Sequence, residues 1–263
     1  MKRWRSVLVL LGLVAAVRPA AGDEWDALSR ARELYNQAHY QAAISAADEA
    51  RRQPALADRA DLVAARAFLE KYRESASDDD LSSARIRLRR LDPQRFTDRE
   101  RSELIVGFGE ALYYERDYGA AADTFRTVVD GPVDVPDRER VLDWWASALE
   151  RDAAPRPDLD RQAVYQRIRD RMRAELLVHP GSGAAAYWIA AAARGAGDLQ
   201  GAWESAKAGW VRATLAPDHG AALRADLDRL VRRAIIPDRA KALAQPADAL
   251  VAAWDQFKEQ WSK

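Results

Sequence analysis

The chain contains no cysteine in its 263 residues. That excludes disulfides, thiol nucleophiles, cysteine-held metals and an acylated N-terminal cysteine of the bacterial lipoprotein kind. Histidine is nearly as scarce. His39, His179 and His219 lie far apart, without a metal-ligand partner at helical spacing, and read as polar residues at helix ends. Charge of one sign is also lacking, since 41 basic residues balance 41 acidic ones. After residue 22 the balance is 37 to 41, a net of −4, with no global pull towards nucleic acid or an anionic membrane. No apolar run approaches the ~20 residues of a spanning helix, so no stable membrane span is expected. Glycine-rich phosphate loops are missing too. Gly181-Ser182-Gly183 has no Walker lysine and reads as an interhelix turn, and Gly107-Phe108-Gly109 reads as packing within a helix. We expect no cofactor and no metal.

What is present favours helices. Alanine and leucine dominate the apolar 48% of the chain, and β-branched residues are few. The N-terminus reads as an address. Lys2-Arg3-Trp4-Arg5 is basic, Val7 to Val17 is a short apolar run, and Ala20 and Gly22 are small residues suited to a cleavage site. These features predict a signal peptide over 1–22, cut between Gly22 and Asp23, and a periplasmic or secreted mature protein.

From Trp25 onward the pattern is one of paired helices. The clearest unit runs from Gly109 through Tyr113 and Tyr114, turns at Asp117-Tyr118, and continues through Ala121 to Phe125 and Val128. A small residue, a tight turn and a second small residue let two antiparallel helices approach closely. The same grammar recurs at Ala31 … Tyr35 … His39-Tyr40 … Ala43 … Ala47, and at Ala190 … Ala193 … Gly197-Asp198 … Ala202 … Ala206. An ordinary bundle shares the amphipathic period but has no reason to repeat this signature. The three units resemble the tetratricopeptide repeat family, whose period is about 34 residues.

Two departures stand out. Ala43 to Ala121 spans 78 residues and Ala121 to Ala202 spans 81, so a degenerate helix pair is expected in each gap. The first gap offers 62–72 and 81–91, and the second offers 138–151 and 160–178, broken by Asp152 to Pro157. The resemblance implies an all-α, right-handed α-α superhelix over 23–216, of about five helix pairs. Over 217–263 the repeat grammar fades into capping helices, opening near Pro237 and Pro246.

In the resembling family the first helix of each pair lines a concave groove that holds a peptide or partner helix. Carried over unit by unit, this gives Leu28, Arg32 and Tyr35, then Val106, Glu110 and Tyr113, then Tyr187. Members that grip a peptide's terminal carboxylate use lysine and asparagine at such places, and this chain has neither there. The expected groove is therefore aromatic and apolar. The implied function is that of a non-enzymatic envelope scaffold or adaptor with a protein or peptide partner. A glycan- or small-ligand-binding helical protein, and a hydrolase using a carboxylate pair, are the alternatives. The basic runs Arg85 to Arg90 and Arg161 to Arg173 read as solvated helix faces. Leu250, Trp254, Phe257 and Trp261 form an aromatic stripe, expected to cap the end of the fold.

Overall fold

The computed structural model describes residues 21–131, 138–215 and 220–261, with side chains from residue 27 onward. Most of the expected leader, the stretch 1–20, and His219 lie outside the described residues. Among them every regular element is helical and no strand occurs. None of the helices is long and apolar enough to cross a membrane.

The helices begin with α1 (Ala21–Asn36), α2 (Tyr40–Ala50), α3 (Ala57–Ser75), α4 (Asp78–Leu88), α5 (Asp98–Tyr114) and α6 (Tyr118–Val129). They continue with α7 (Arg138–Ala153), α8 (Asp158–Val178), α9 (Gly183–Gly195) and α10 (Leu199–Arg212). The chain closes with α11 (Ala221–Leu230), a π-turn over Val231–Ile235, α12 (Ile236–Leu243) and α13 (Ala247–Trp261). All four helices expected in the two gaps are present; α3, α7 and α8 run longer than the sequence pattern marks, and α4 has the expected length but starts three residues earlier.

Local chemistry sets the boundaries. Thr97 opens α5 with a reciprocal cap, its Oγ1 accepting from the Glu100 amide at 3.3 Å while Glu100 accepts from the Thr97 amide at 3.1 Å. Asp117, Ser182 and Asp198 cap α6, α9 and α10 through their side chains.

The three matching units share one turn. Ala38, Arg116 and Gly197 stand at φ +60°, +65° and +81°, again 78 and 81 residues apart. The next residue's N–H donates back to Leu34, Leu112 and Ala193 at 2.9, 3.0 and 3.0 Å. This six-to-one bond is the Schellman closure of a helix on a left-handed residue. Only the third unit uses glycine, so Ala38 and Arg116 accept a strain of about 1 kcal/mol each. The α3–α4 pair turns differently, with left-handed Ala76 followed by an extended Ser77.

Helix pairs close on small residues. A Cβ at Gly109 would lie 2.6 Å from the ring of fully buried Phe125, and one at Gly195 would lie 2.3 Å from the Tyr165 ring. Ala31, Ala43, Ala121, Ala190, Ala193, Ala202 and Ala206 are all buried. The apolar side chains make a row of small cores along the chain, through α1–α3, α3–α5, α5–α9 and α9–α13 in turn. At the end of this row the aromatic stripe is turned inward. Trp254 is fully buried, 5.8 Å from Trp203 and 5.6 Å from Trp210, and its indole donates to Asp228 at 2.8 Å. Trp261, the last member of the stripe, stays exposed.

Each helix packs on the next. In addition α1 touches α3, α3 touches α5, α5 touches α7, α7 touches α9 and α9 touches α11. The odd-numbered helices therefore share one layer, and that layer positions the site.

Candidate functional site

Two clefts open along the odd-helix layer, with a bridge of buried charge between them. The first, about 420 Å³, lies between α1, α3 and α5 and is lined by Arg32, Tyr35, Arg66, Arg99, Glu100 and Glu103. Its charges are matched internally. Arg32 and Arg59 both donate to Glu100, at 2.8 and 3.0 Å, and Arg66 donates to Glu103 at 3.0 Å. Burial pushes Tyr35 up to about 12 against the opposing field of Arg66, whose guanidinium lies 4.7 Å over its ring. Tyr35 stays a neutral phenol at physiological pH.

The bridge joins three helices. Arg140 of α7 donates to Glu110 of α5 at 2.7 Å and also to Glu70 of α3. Both carboxylates are almost completely buried. Burial raises the pKa of Glu110, and the neighbouring Arg140 offsets only part of that rise. Glu70 has a second cation in Arg73, at 2.8 Å.

The second cleft, about 630 Å³, lies between α7, α9 and α11. One polar stripe of α7 supplies Glu139, Arg140, Asp143, Ser147 and Glu150; α9 adds Tyr187 and Trp188, and α11 adds Asp226. Asp143 accepts the Trp188 indole N–H at 2.8 Å, and Glu139 accepts the Ala184 amide at 2.8 Å near the start of α9. Asp143 remains open to solvent. Crowding by the cleft walls nevertheless raises its pKa, the indole hydrogen bond opposes that rise, and the charge of Asp226 adds to it. Glu150 is raised as well, chiefly by burial, with Arg194 and Arg151 pulling it back in part. Tyr187 is raised by burial and by the surrounding carboxylates.

The residues singled out from the sequence divide among these places. Arg32 and Tyr35 line the first cleft, and Tyr187 lines the second. Leu28 and Val106 are core residues, packed where their helices meet their neighbours, and Glu110 belongs to the buried bridge. Tyr113 fills an aromatic knot with Trp144 at 4.6 Å and Tyr118 at 5.2 Å, under the Arg151 guanidinium. Both clefts are more charged than the expected apolar groove. The reason is geometric, because the long polar side chains of the odd helices reach across the layer to helices two or four further on. The basic runs are likewise engaged. Arg87 donates to Asp61 at 2.6 Å and to Asp48 at 2.7 Å, while Arg171 donates to Glu175 at 3.0 Å.

Sequence reasoning passed over Glu70, Arg140, Asp143, Glu150 and Asp226. The α7 residues carry a readable signal, since polar side chains at 139, 143, 147 and 150 repeat on one face of the helix, opposite the buried Val141, Leu142, Trp145 and Leu149. No family model, curated protein or solved structure matches this chain.

Proposed function

We propose that the protein is an exported scaffold or adaptor of tetratricopeptide-like build, a right-handed superhelix that binds a protein partner through its odd-helix layer. The observation that carries this reading is the layer itself: successive odd-numbered helices touch one another and line two clefts. Three identical Schellman turns at 78- and 81-residue intervals support the repeat build. The basic and apolar N-terminal stretch supports export.

Catalysis is the weaker reading. Asp143 and Glu150 share a cleft and have raised pKa values, as acid–base pairs often do. They stand seven residues apart on one face of one helix, however. Glycosyl transfer needs its two carboxyl groups on opposite flanks of the reacting bond. We assign the pair to binding.

The test is affinity capture from envelope extract with the full-length protein and with a Tyr35→Ala/Tyr187→Ala variant. The double variant should lose the captured partner while its far-ultraviolet circular dichroism is unchanged. Undiminished capture would remove the assignment of the clefts.

A further inference from the structure

Four carboxylates of the odd-helix layer, lining the first cleft or forming the bridge, are held by guanidinium groups from other odd helices. Glu70 and Glu110 are met by Arg140, Glu100 by Arg32 and Arg59, and Glu103 by Arg66, so each finds a guanidinium from another odd helix. The α7/α9/α11 cleft departs from this. The hydrogen-bond partner of Asp143 is the neutral indole of Trp188. Glu150 makes no ion pair within 4 Å among the described residues. Among the described residues Asp226 is met, at 2.7 Å, only by Arg229, its own helix neighbour. The cations nearest these groups have other partners: Arg140 pairs with Glu70 and Glu110, Arg194 with Asp238 at 2.7 Å, and Arg151 lies over the rings of Tyr113 and Tyr118. The result is an open, electronegative cleft with aromatic side chains in its wall.

We infer that this cleft receives a cationic side chain, arginine or lysine, from the partner's peptide, seated between Asp143 and Glu150 against Tyr187. The inference rests on the partner-binding reading above and names the chemistry of that partner. Charge complementarity selects the occupant, and the guest would do for Asp143 and Glu150 what Arg140 does for Glu70 and Glu110. A bare divalent ion fits poorly, because two carboxylates seven residues apart are separated by about 10 Å along a helix axis. Such an ion needs oxygens converging at about 2.0–2.6 Å. A guanidinium or ammonium needs only one carboxylate at hydrogen-bond distance with the second charge nearby, and it gains from an adjacent aromatic face.

The Trp188 indole N–H reports on the site directly because Asp143 holds it. In the full-length protein, its amide-type resonance, assigned with a Trp188→Phe variant, is followed while N-acetyl-arginine amide is added. The neutral isostere N-acetyl-citrulline amide serves as the control. A saturable shift with the arginine compound and none with citrulline is expected, with affinity at least tenfold weaker in Glu150→Gln and in Asp143→Asn. The indole of Trp254, hydrogen-bonded to Asp228 in another part of the fold, should stay put and also shows that each variant is folded. An equal response to citrulline, an undiminished response in both variants, or no saturable response overturns the inference. If capture still depends on Tyr35 and Tyr187 while the arginine response is absent, only this inference fails. If capture ignores those tyrosines, the parent reading fails.

Discussion

Replacing Arg140 by methionine removes a side chain that joins α3, α5 and α7. Glu70 keeps Arg73, but Glu110 loses its only hydrogen-bonded cation among the described residues while remaining 3% exposed. Breaking a buried ion pair by removing one partner costs about 3–5 kcal/mol. The Arg140 side chain is itself 35% exposed, so water screens part of the interaction and about 2–3 kcal/mol is the better expectation. With a urea dependence of about 2–3 kcal/mol per molar, the unfolding midpoint should fall by roughly 1 M. The loss should also depend on pH, with a sign that follows from Glu110. Its folded pKa is already raised by burial, and removing the guanidinium raises it further. A carboxyl group whose folded pKa exceeds its unfolded value favours the native state as pH falls through the folded pKa towards about 4.3. The deficit of Arg140→Met is therefore largest near pH 8 and shrinks by pH 5. Adding Glu110→Gln to the variant should recover about half of the lost stability at pH 8, because an amide carries no buried charge. Urea titration followed by circular dichroism at 222 nm measures all three quantities. A loss below about 0.5 kcal/mol at pH 8, the size of an ordinary surface substitution, would refute the bridge as described.

Other expectations concern the frame that holds the clefts. Gly109→Ala gains about 1 kcal/mol of helix propensity but drives a methyl into the buried Phe125 ring, so thermal unfolding should show a net loss of about 1–2 kcal/mol. A neutral or stabilising result would mean that α5 and α6 are not in close contact there. Arg116→Gly relieves the left-handed backbone of an exposed residue and should stabilise by about 0.5 kcal/mol; destabilisation would speak against that turn. On acidification, burial raises Glu175, but hydrogen bonds and charge from Arg138 and Arg171 outweigh it and hold the group below the usual carboxylate range. Its contribution is full above its unfolded pKa of about 4.3 and is lost as pH falls through the lowered folded value. Melting temperature should hold from pH 7 to about 5 and drop below that, with a shallower drop in Glu175→Gln. An identical acid slope in that variant would exclude Glu175 as a source.

Much of the frame was legible from residue patterns, and little of the charge chemistry was. Gly109 facing Phe125, and the alanines of the repeated units, are local signals with helical spacing. The turns were legible in all three units, but their left-handed residue only at Gly197, because Ala38 and Arg116 adopt the same backbone without the glycine that advertises it. Leu28 and Val106 were read as groove residues because their helix was right, but the facing direction of an apolar residue on a first helix depends on neighbours. The Glu70–Arg140–Glu110 bridge spans 70 residues and leaves no periodic trace. The α7 polar stripe was visible, whereas its meeting with Asp226 depends on how α9 and α11 pack against it.

The central claim is that a partner binds on the odd-helix layer. Hydrogen–deuterium exchange of the full-length protein, alone and with its captured partner, addresses it most directly. Amide protection should rise in α7, α9 and α11 and in α1, α3 and α5, around the two clefts, and stay level in α2, α4, α6 and α8. Protection confined to those even-numbered helices, or none in the odd-numbered ones, would contradict the account.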